Sequence, residues 1–367
     1  MNQLFYVILS SIILAGCIPL RAIWINIPSH KDYRKFALRH IPPAENSSYF
    51  ENIESSNKYK DLPIRYKYLI LPLHEALKKM KCEVFLLIRR DTILYSYYRK
   101  PTLEKTPFNS YSMAKGVVCM LTGIALSEGK FSSIDQKIIE ILPELSRYPG
   151  YEKLTLRHLL YMTSGLEADF RFNPAGDLAY AYLTKDLWKL LDRVPAVKEP
   201  GLIHEYNNVN TQLLTFALAR VTGKSMTEYF VEKIAHPLGF ENPAFWYLDR
   251  KNGYEKGFCC LQATAVDFAK LGKLFLNKGK WNDRQILPEN WVNFAFQTDS
   301  TGGKAWDYQM HWNHVSEKPF ITGLRGLFDQ NIMVVPEKDL VMVTLNSTIK
   351  EKPEYWGHFF WQVAHWF

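Results

Sequence analysis

The alternation of apolar and polar positions divides the chain into strands near both ends and helices between them. Val117, Met120, Leu121, Ile124 and Ala125 recur at three- and four-residue spacing inside an apolar run over 116–126, which predicts a buried helix. An amphipathic helix is predicted over 71–81, with Pro72 tolerated in its first turn. Between these two, 84–88 and 92–98 are β-rich and separated by Arg89-Arg90-Asp91, a hairpin pattern. Helical periodicity returns over 135–145, 154–162, 210–221 (closed by Gly223), 226–238 and 264–276. Past residue 300 the pattern turns to strands over 308–314, 332–335 and 340–345, with 336–339 as the last hairpin turn, and an aromatic helix over 354–367 closes the chain. This order predicts an α/β domain over 61–367. Its mainly antiparallel sheet takes strands from both chain ends, is flanked by helices, and carries an inserted helical domain over 130–295.

The N-terminus adds a location. Residues 4–15 are apolar except for Ser10 and Ser11, too short for a comfortable span and right for the core of a signal peptide. The run ends in Leu14-Ala15-Gly16-Cys17, which resembles the bacterial lipobox, whose cysteine is lipidated. The expectation is a leader over 1–17, a lipid anchor at Cys17 and a tether over 18–60. The folded part then faces the periplasm or the cell exterior, held at a membrane of the bacterial envelope. An uncleaved anchor helix is the alternative, because no Lys or Arg precedes the apolar run.

Composition is ordinary for a globular chain, 47% hydrophobic and 22% charged. The net charge of +8 is spread without a basic run, so no nucleic-acid partner is expected. Cys82, Cys119, Cys259 and Cys260 show no metal-ligand spacing, nor do His204, His311 and His314. Adjacent cysteines rarely bridge, so all four read as small buried apolar residues, although a bridge is not ruled out by sequence.

Candidate chemistry lies at the start of the apolar helix, Asn109-Ser110-Tyr111-Ser112-Met113-Ala114-Lys115. With Ser110 as N-cap, Ser112 falls in the first turn, among free backbone N–H groups, and Lys115 shares its face three residues on. A lysine at a buried helix start has its pKa lowered by desolvation and can serve as a base for a serine nucleophile. Spacing alone does not select this pair, because Ser-x-x-Lys also occurs at Ser55/Lys58, Ser127/Lys130 and Ser347/Lys350. Downstream, Tyr206 is the one tyrosine followed two residues later by asparagine, Asn208, and it sits between a Pro-Gly turn and a helix.

Several phrases together carry a family resemblance: Ser112-Met113-Ala114-Lys115, Gly129-Lys130-Phe131, the stretch 159–166 ending Thr163-Ser164-Gly165-Leu166, Tyr206-Asn207-Asn208, and 259–265 followed by Asp267-Phe268-Ala269. From Tyr66 to the C-terminus the chain resembles the serine β-lactamase and penicillin-binding-protein superfamily. It is most similar to class C-related hydrolases of the esterase and amidase branch that includes 6-aminohexanoate-dimer hydrolase. The resemblance implies an acyl-enzyme on Ser112, with Lys115 and Tyr206 moving the proton and no metal or organic cofactor. The nearby ammonium is expected to lower the Tyr206 phenol's pKa. Asn208 would bind a substrate amide or orient Lys115.

The family's third motif, Lys-Thr-Gly on an edge strand, is matched by Ile321-Thr322-Gly323. Thr322 is expected to donate a hydrogen bond, Gly323 to let substrate approach, and the Leu324 backbone N–H to form an oxyanion hole with that of Ser112. The cation of the first position is missing. Arg325 is a candidate replacement, and Gln330, after an inserted Leu327-Phe328-Asp329, matches a glutamine of the amidase branch. The missing cation argues against efficient β-lactam hydrolysis. The expected substrate is a small or short peptide-like amide or ester. A peptidoglycan DD-carboxypeptidase, a β-lactamase and a catalytically silent binding protein are the alternatives.

Overall fold

The computed structural model describes residues 32–45, 50–52, 57–170, 173 and 175–367. Cys17 and the leader lie outside the described residues. Sixteen strands are described: β1 (Ala37–Ile41), β2 (Glu51–Asn52), β3 (Pro63–Tyr66), β4 (Leu69–Pro72), β5 (Val84–Arg89), β6 (Thr92–Tyr98), β7 (Phe108–Asn109), β8 (Ala244–Leu248), β9 (Leu261–Ala263), β10 (Lys280–Trp281), β11 (Arg284–Gln285), β12 (Tyr308–Gln309), β13 (Trp312–Glu317), β14 (Phe320–Gly326), β15 (Gln330–Val335) and β16 (Leu340–Leu345).

Eight of them form the main sheet in the order β12-β13-β14-β15-β16-β5-β6-β2, with β16 joining the C-terminal strands to the N-terminal hairpin. Every neighbouring pair named in this sheet is antiparallel except β2 with β6. β5, β16 and the 332–335 part of β15 read as mainly apolar runs because both faces are covered. Val84, Leu86, Ile332, Val334, Val341 and Val343 pack into one core with the helices Ala114–Ser127 and Ala265–Leu276. Phe85, Leu87, Met333, Val335, Leu340 and Met342 pack into a second core under the C-terminal helix Pro353–His365.

A smaller sheet, β1-β8-β9-β7, is also antiparallel. Its β1 comes from the stretch read as tether, and β8 and β9 lie inside the segment read as a helical insertion, so that segment is not purely helical. β7 runs directly into the candidate nucleophile. The Ser110 N–H donates to Leu261 O of β9 at 2.7 Å, and β14 of the main sheet passes so close that a Cβ on Gly326 would collide with Ser110 O. The nucleophile turn is therefore held between two sheets.

Three local expectations need correction. Ser110 is not a side-chain N-cap: its backbone is already helical, its Oγ donates to Tyr111 O at 3.1 Å, and Tyr111–Met113 forms a 3-10 turn ahead of the helix Ala114–Ser127. Pro72 ends β4 and precedes the helix Leu73–Lys79 instead of lying in its first turn. The predicted strand over 308–314 is broken, because Met310 and His311 adopt positive φ and turn β12 back onto β13.

Candidate active site

Ser112 and Lys115 lie one helical turn apart, as their spacing requires. Lys115 Nζ is 3.0 Å from Ser112 Oγ and donates to Phe258 O at 2.8 Å. The lysine is 1% exposed, and among the described residues no carboxylate pairs with it. Burial alone holds its pKa well below the ordinary lysine range. A neutral amine has two N–H bonds and one lone pair. With an N–H fixed on Phe258 O, the lone pair is available to the serine hydroxyl.

The residue before Ser112 has an unusual backbone conformation. Tyr111 has φ +44°, a costly conformation for a bulky side chain. The Asn109 side chain accepts the Tyr111 N–H at 3.0 Å, and the Phe328 ring packs edge-on against the Tyr111 ring at 5.0 Å. Phe328 lies in the stretch read as an insertion and packs against the turn that carries Ser112. Among the described residues no backbone acceptor takes the Ser112 N–H, one of the free donors expected of a first turn.

Tyr206 closes the cluster. Its ring lies 4.8 Å from Lys115 Nζ and edge-on to Tyr308, and its hydroxyl lies near Ser112. The residue as a whole is 44% exposed, although protein atoms crowd around the phenol. Burial pushes the phenol up to about 12, with the neighbouring Ser112 hydroxyl pulling the other way. This reverses the lowering expected from a neighbouring ammonium, because burial is the dominant influence on the phenol and also disfavours the charged form of Lys115. In Tyr206-Asn207-Asn208 the middle residue does the structural work: Asn207 caps the helix Asn208–Thr222 through the Val209 N–H at 2.9 Å and donates to Leu166 O at 2.8 Å. The Asn208 side chain makes no hydrogen bond among the described residues and so is available to a substrate.

The third motif departs from its expected roles. β14 is not an edge strand, since β13 and β12 lie beyond it. Thr322 is fully buried, and its hydroxyl is spent on Asn313 O at 3.1 Å and His314 Nδ1 at 2.9 Å. Gly323 is required by a neighbour and not by substrate, because a Cβ there would strike Ile332 O of β15. Ile321 is buried in the second core. Arg325 does not replace the missing cation: its guanidinium reaches Pro353 O, at the start of the C-terminal helix. Gln330 is consumed by Asn346, donating to its carbonyl at 2.5 Å and accepting its N–H at 3.0 Å. Leu324 alone keeps a place beside the site. Its side chain occupies the space a Cβ on Gly116 would need, and pairing of β14 with β13 ends at Gly323, before it.

Sequence reasoning left His204, Tyr308 and His311 unassigned. The structure gathers them around Tyr206 and Lys115. His204 and Tyr206 each pack on the Tyr308 ring, at 5.2 and 5.7 Å, and His311 contacts both Tyr308 and Thr211 at 3.4 Å. Burial holds His311 down to about 3, so it is a neutral wall of the cleft. The spacing of His204 from Tyr206 was visible, but the turn at Met310 and His311 that brings the third ring in was not. Cys259 and Cys260 are bridged to each other, the possibility that the sequence left open, while Cys82 and Cys119 are free and buried. The bridge directly follows Phe258, whose carbonyl holds Lys115. Among the described residues no cluster of three or more His, Cys, Asp or Glu side chains is placed to hold a metal ion.

Comparison with known proteins bears on the family and the fold. The model of the Beta-lactamase family matches residues 83–354. A 6-aminohexanoate-dimer hydrolase of Paenarthrobacter ureafaciens is 23% identical over 313 residues, 77% of each chain. A putative D-alanyl-D-alanine carboxypeptidase of Escherichia coli (strain K12) is 30% identical over 177 residues, 45% of this chain and only 39% of that protein. A solved structure described as a putative 6-aminohexanoate-dimer hydrolase from Bacillus anthracis superposes with a TM-score of 0.81 at 20% identity, over 93% of this chain and 95% of the other, a likeness of fold. With the matched span enclosing Ser112, Lys115, Tyr206 and the strands that position them, the chain belongs to the Beta-lactamase family of serine hydrolases.

Proposed function

We propose that the protein hydrolyses a small linear amide or ester through an acyl-enzyme on Ser112. The observation that carries this reading is the Ser112–Lys115–Tyr206 cluster, with a buried amine that has no counter-ion. Lys115 takes the hydroxyl proton as Ser112 Oγ attacks the carbonyl carbon. Tyr206 gives its proton to the departing nitrogen or oxygen and is reprotonated by Lys115, leaving the acyl group on the serine. Water attacks that ester, and the proton it loses passes through the same pair to the departing Ser112 Oγ, releasing the acid and restoring the enzyme. The Ser112 and Leu324 N–H groups receive the developing oxyanion, each such donor being worth about 3 kcal/mol of barrier. Asn208 meets the substrate amide.

No cation in the third motif is placed to clamp a carboxylate, because Ile321 is buried and Arg325 is turned to the C-terminal helix. Similarity to a protein named for 6-aminohexanoate-dimer hydrolysis supports a linear amide. Similarity to a putative D-alanyl-D-alanine carboxypeptidase makes a D-Ala-D-Ala peptide the rival. A panel of p-nitrophenyl esters, short amide oligomers, D-Ala-D-Ala peptides and nitrocefin tests both readings, with Ser112→Ala as control. Serine-dependent turnover of esters and linear amides is expected. Preferential turnover of nitrocefin or D-Ala-D-Ala peptide would replace the substrate assignment.

The Leu14-Ala15-Gly16-Cys17 pattern supports placing the enzyme in the bacterial envelope, anchored by lipid at Cys17. Metabolic labelling with an alkyne fatty acid, lost in Cys17→Ser, tests the anchor. Labelling that persists in that variant would reject it.

A further inference from the structure

A surface remote from the cleft combines exposed apolar groups with positive charge. At the tip of the β3–β4 hairpin Tyr68 is 90% exposed, Ile70 67% and Leu69 37%, and Trp366 beside it is 51% exposed. This is not a loose loop. Ile64 and Tyr66 on its inner face are buried in the second core, and the register pairs Arg65 with Ile70 on the outer face. Gln362 of the C-terminal helix clamps Arg65 through both backbone groups, accepting its N–H at 2.6 Å and donating to its carbonyl at 3.0 Å, and Trp366 Nε1 donates to Pro63 O at 3.3 Å. Tyr59 stacks on Phe367, which brings Lys58 and Lys60 to the same end of the molecule. From 57 to 72 the chain carries Lys58, Lys60, Arg65 and Lys67 against Asp61, a net charge of +3.

Single exposed apolar residues are ordinary, but a rigid projection whose tip is tyrosine and isoleucine is not explained by solubility. Lysine is depleted at the cores of protein interfaces, whereas aromatic and aliphatic groups flanked by Lys and Arg match the boundary between hydrocarbon and anionic head groups. We propose that the β3–β4 hairpin, with Trp366 and the surrounding lysines, is a contact surface for an anionic phospholipid bilayer. The C-terminal helix that carries it covers the sheet face opposite the nucleophile helix. Seating the hairpin on lipid therefore leaves Ser112 on the far side of the sheet, open to substrate from water. This holds whether or not Cys17 is lipidated, and it does not depend on the proposed reaction.

The test uses the full chain carrying Cys17→Ser, with vesicles of phosphatidylglycerol and phosphatidylcholine or of phosphatidylcholine alone. Backbone hydrogen exchange across 64–72 should slow on the anionic vesicles and not on the neutral ones. The double substitution Tyr68→Asp with Ile70→Asp should lower partition to anionic vesicles about tenfold while leaving circular dichroism and hydrolytic turnover unchanged. The apolar leader acts equally on both forms, so their difference reads the hairpin. Unchanged exchange together with unchanged partition would overturn the proposal. So would sedimentation that shows a lipid-free dimer abolished by the same substitutions, which would assign the surface to a second copy of the chain.

Discussion

Lys115 Nζ lies 3.0 Å from Ser112 Oγ in a site where no carboxylate, among the described residues, balances the amine. An ammonium there costs desolvation, so burial holds the lysine's pKa well below its ordinary range and favours the free amine that a base requires.

Lys115→Met keeps the volume and removes the base. It should lower kcat/KM about 10³-fold and raise the melting temperature, since a buried amine without a counter-ion is replaced by an apolar chain. The pH dependence follows from the lowered pKa. Between that value and the ordinary lysine value the unfolded chain binds the extra proton, so wild-type stability falls relative to the variant as pH falls through this window. Wild-type kcat/KM should rise with pH through the lowered Lys115 value. Thermal melts and rate profiles over the same pH series check both. A variant no more stable than wild type, with the same pH dependence, would show that Lys115 is not strained by burial.

Tyr206→Phe should cost about 10² in kcat/KM with little change in KM, since it removes a proton donor and keeps the ring. With the phenol up at about 12, the wild-type profile should show no alkaline fall below pH 10 assignable to this residue. A wild-type fall near pH 8 that vanishes in the Phe variant would contradict the assignment.

The Cys259–Cys260 bridge is continuous with the peptide that holds the lysine. Phe258 O takes Lys115, Cys259 O takes the Trp246 indole at 2.7 Å, and Leu261 O takes Ser110. Reduction by a phosphine, giving two thiols, should lower turnover about tenfold by loosening that arc. The double variant Cys259→Ser with Cys260→Ser should show the reduced rate and no response to reductant. Equal rates before and after reduction, with thiols counted by mass, would remove the bridge from the account.

How much of this was legible depends on the range of the interaction that decides each feature. β5, β16 and the 332–335 part of β15 could be read locally, because burial on both faces writes a mainly apolar run. Ser112 and Lys115 are fixed by one helical turn, and Tyr206 by a turn and a capped helix. Thr322, Gly323 and Gln330 were misread because their roles are set by β13, β15 and Asn346, partners that no local spacing reveals. The turn at Met310 and His311 was hidden for a related reason: two non-glycine residues with positive φ interrupt an otherwise strand-like run.

Restoring the family's cation by Ile321→Lys should fail. The side chain would enter the core between β14 and the C-terminal helix, where an amine costs about 3 kcal/mol or more. A lowered melting temperature and no gain in nitrocefin hydrolysis are expected. A stable variant that hydrolyses nitrocefin faster would mean that residue 321 faces the cleft after all.

The central claim is that Ser112 is the nucleophile activated by Lys115. Its most direct measurement is intact mass after exposure to a fluorophosphonate probe, followed by peptide mapping across 110–115. A single adduct on Ser112 is predicted, formed faster as pH rises through the lowered Lys115 value, slowed in Lys115→Met and absent in Ser112→Ala. An adduct on another residue, or an equal adduct in Ser112→Ala, would contradict it.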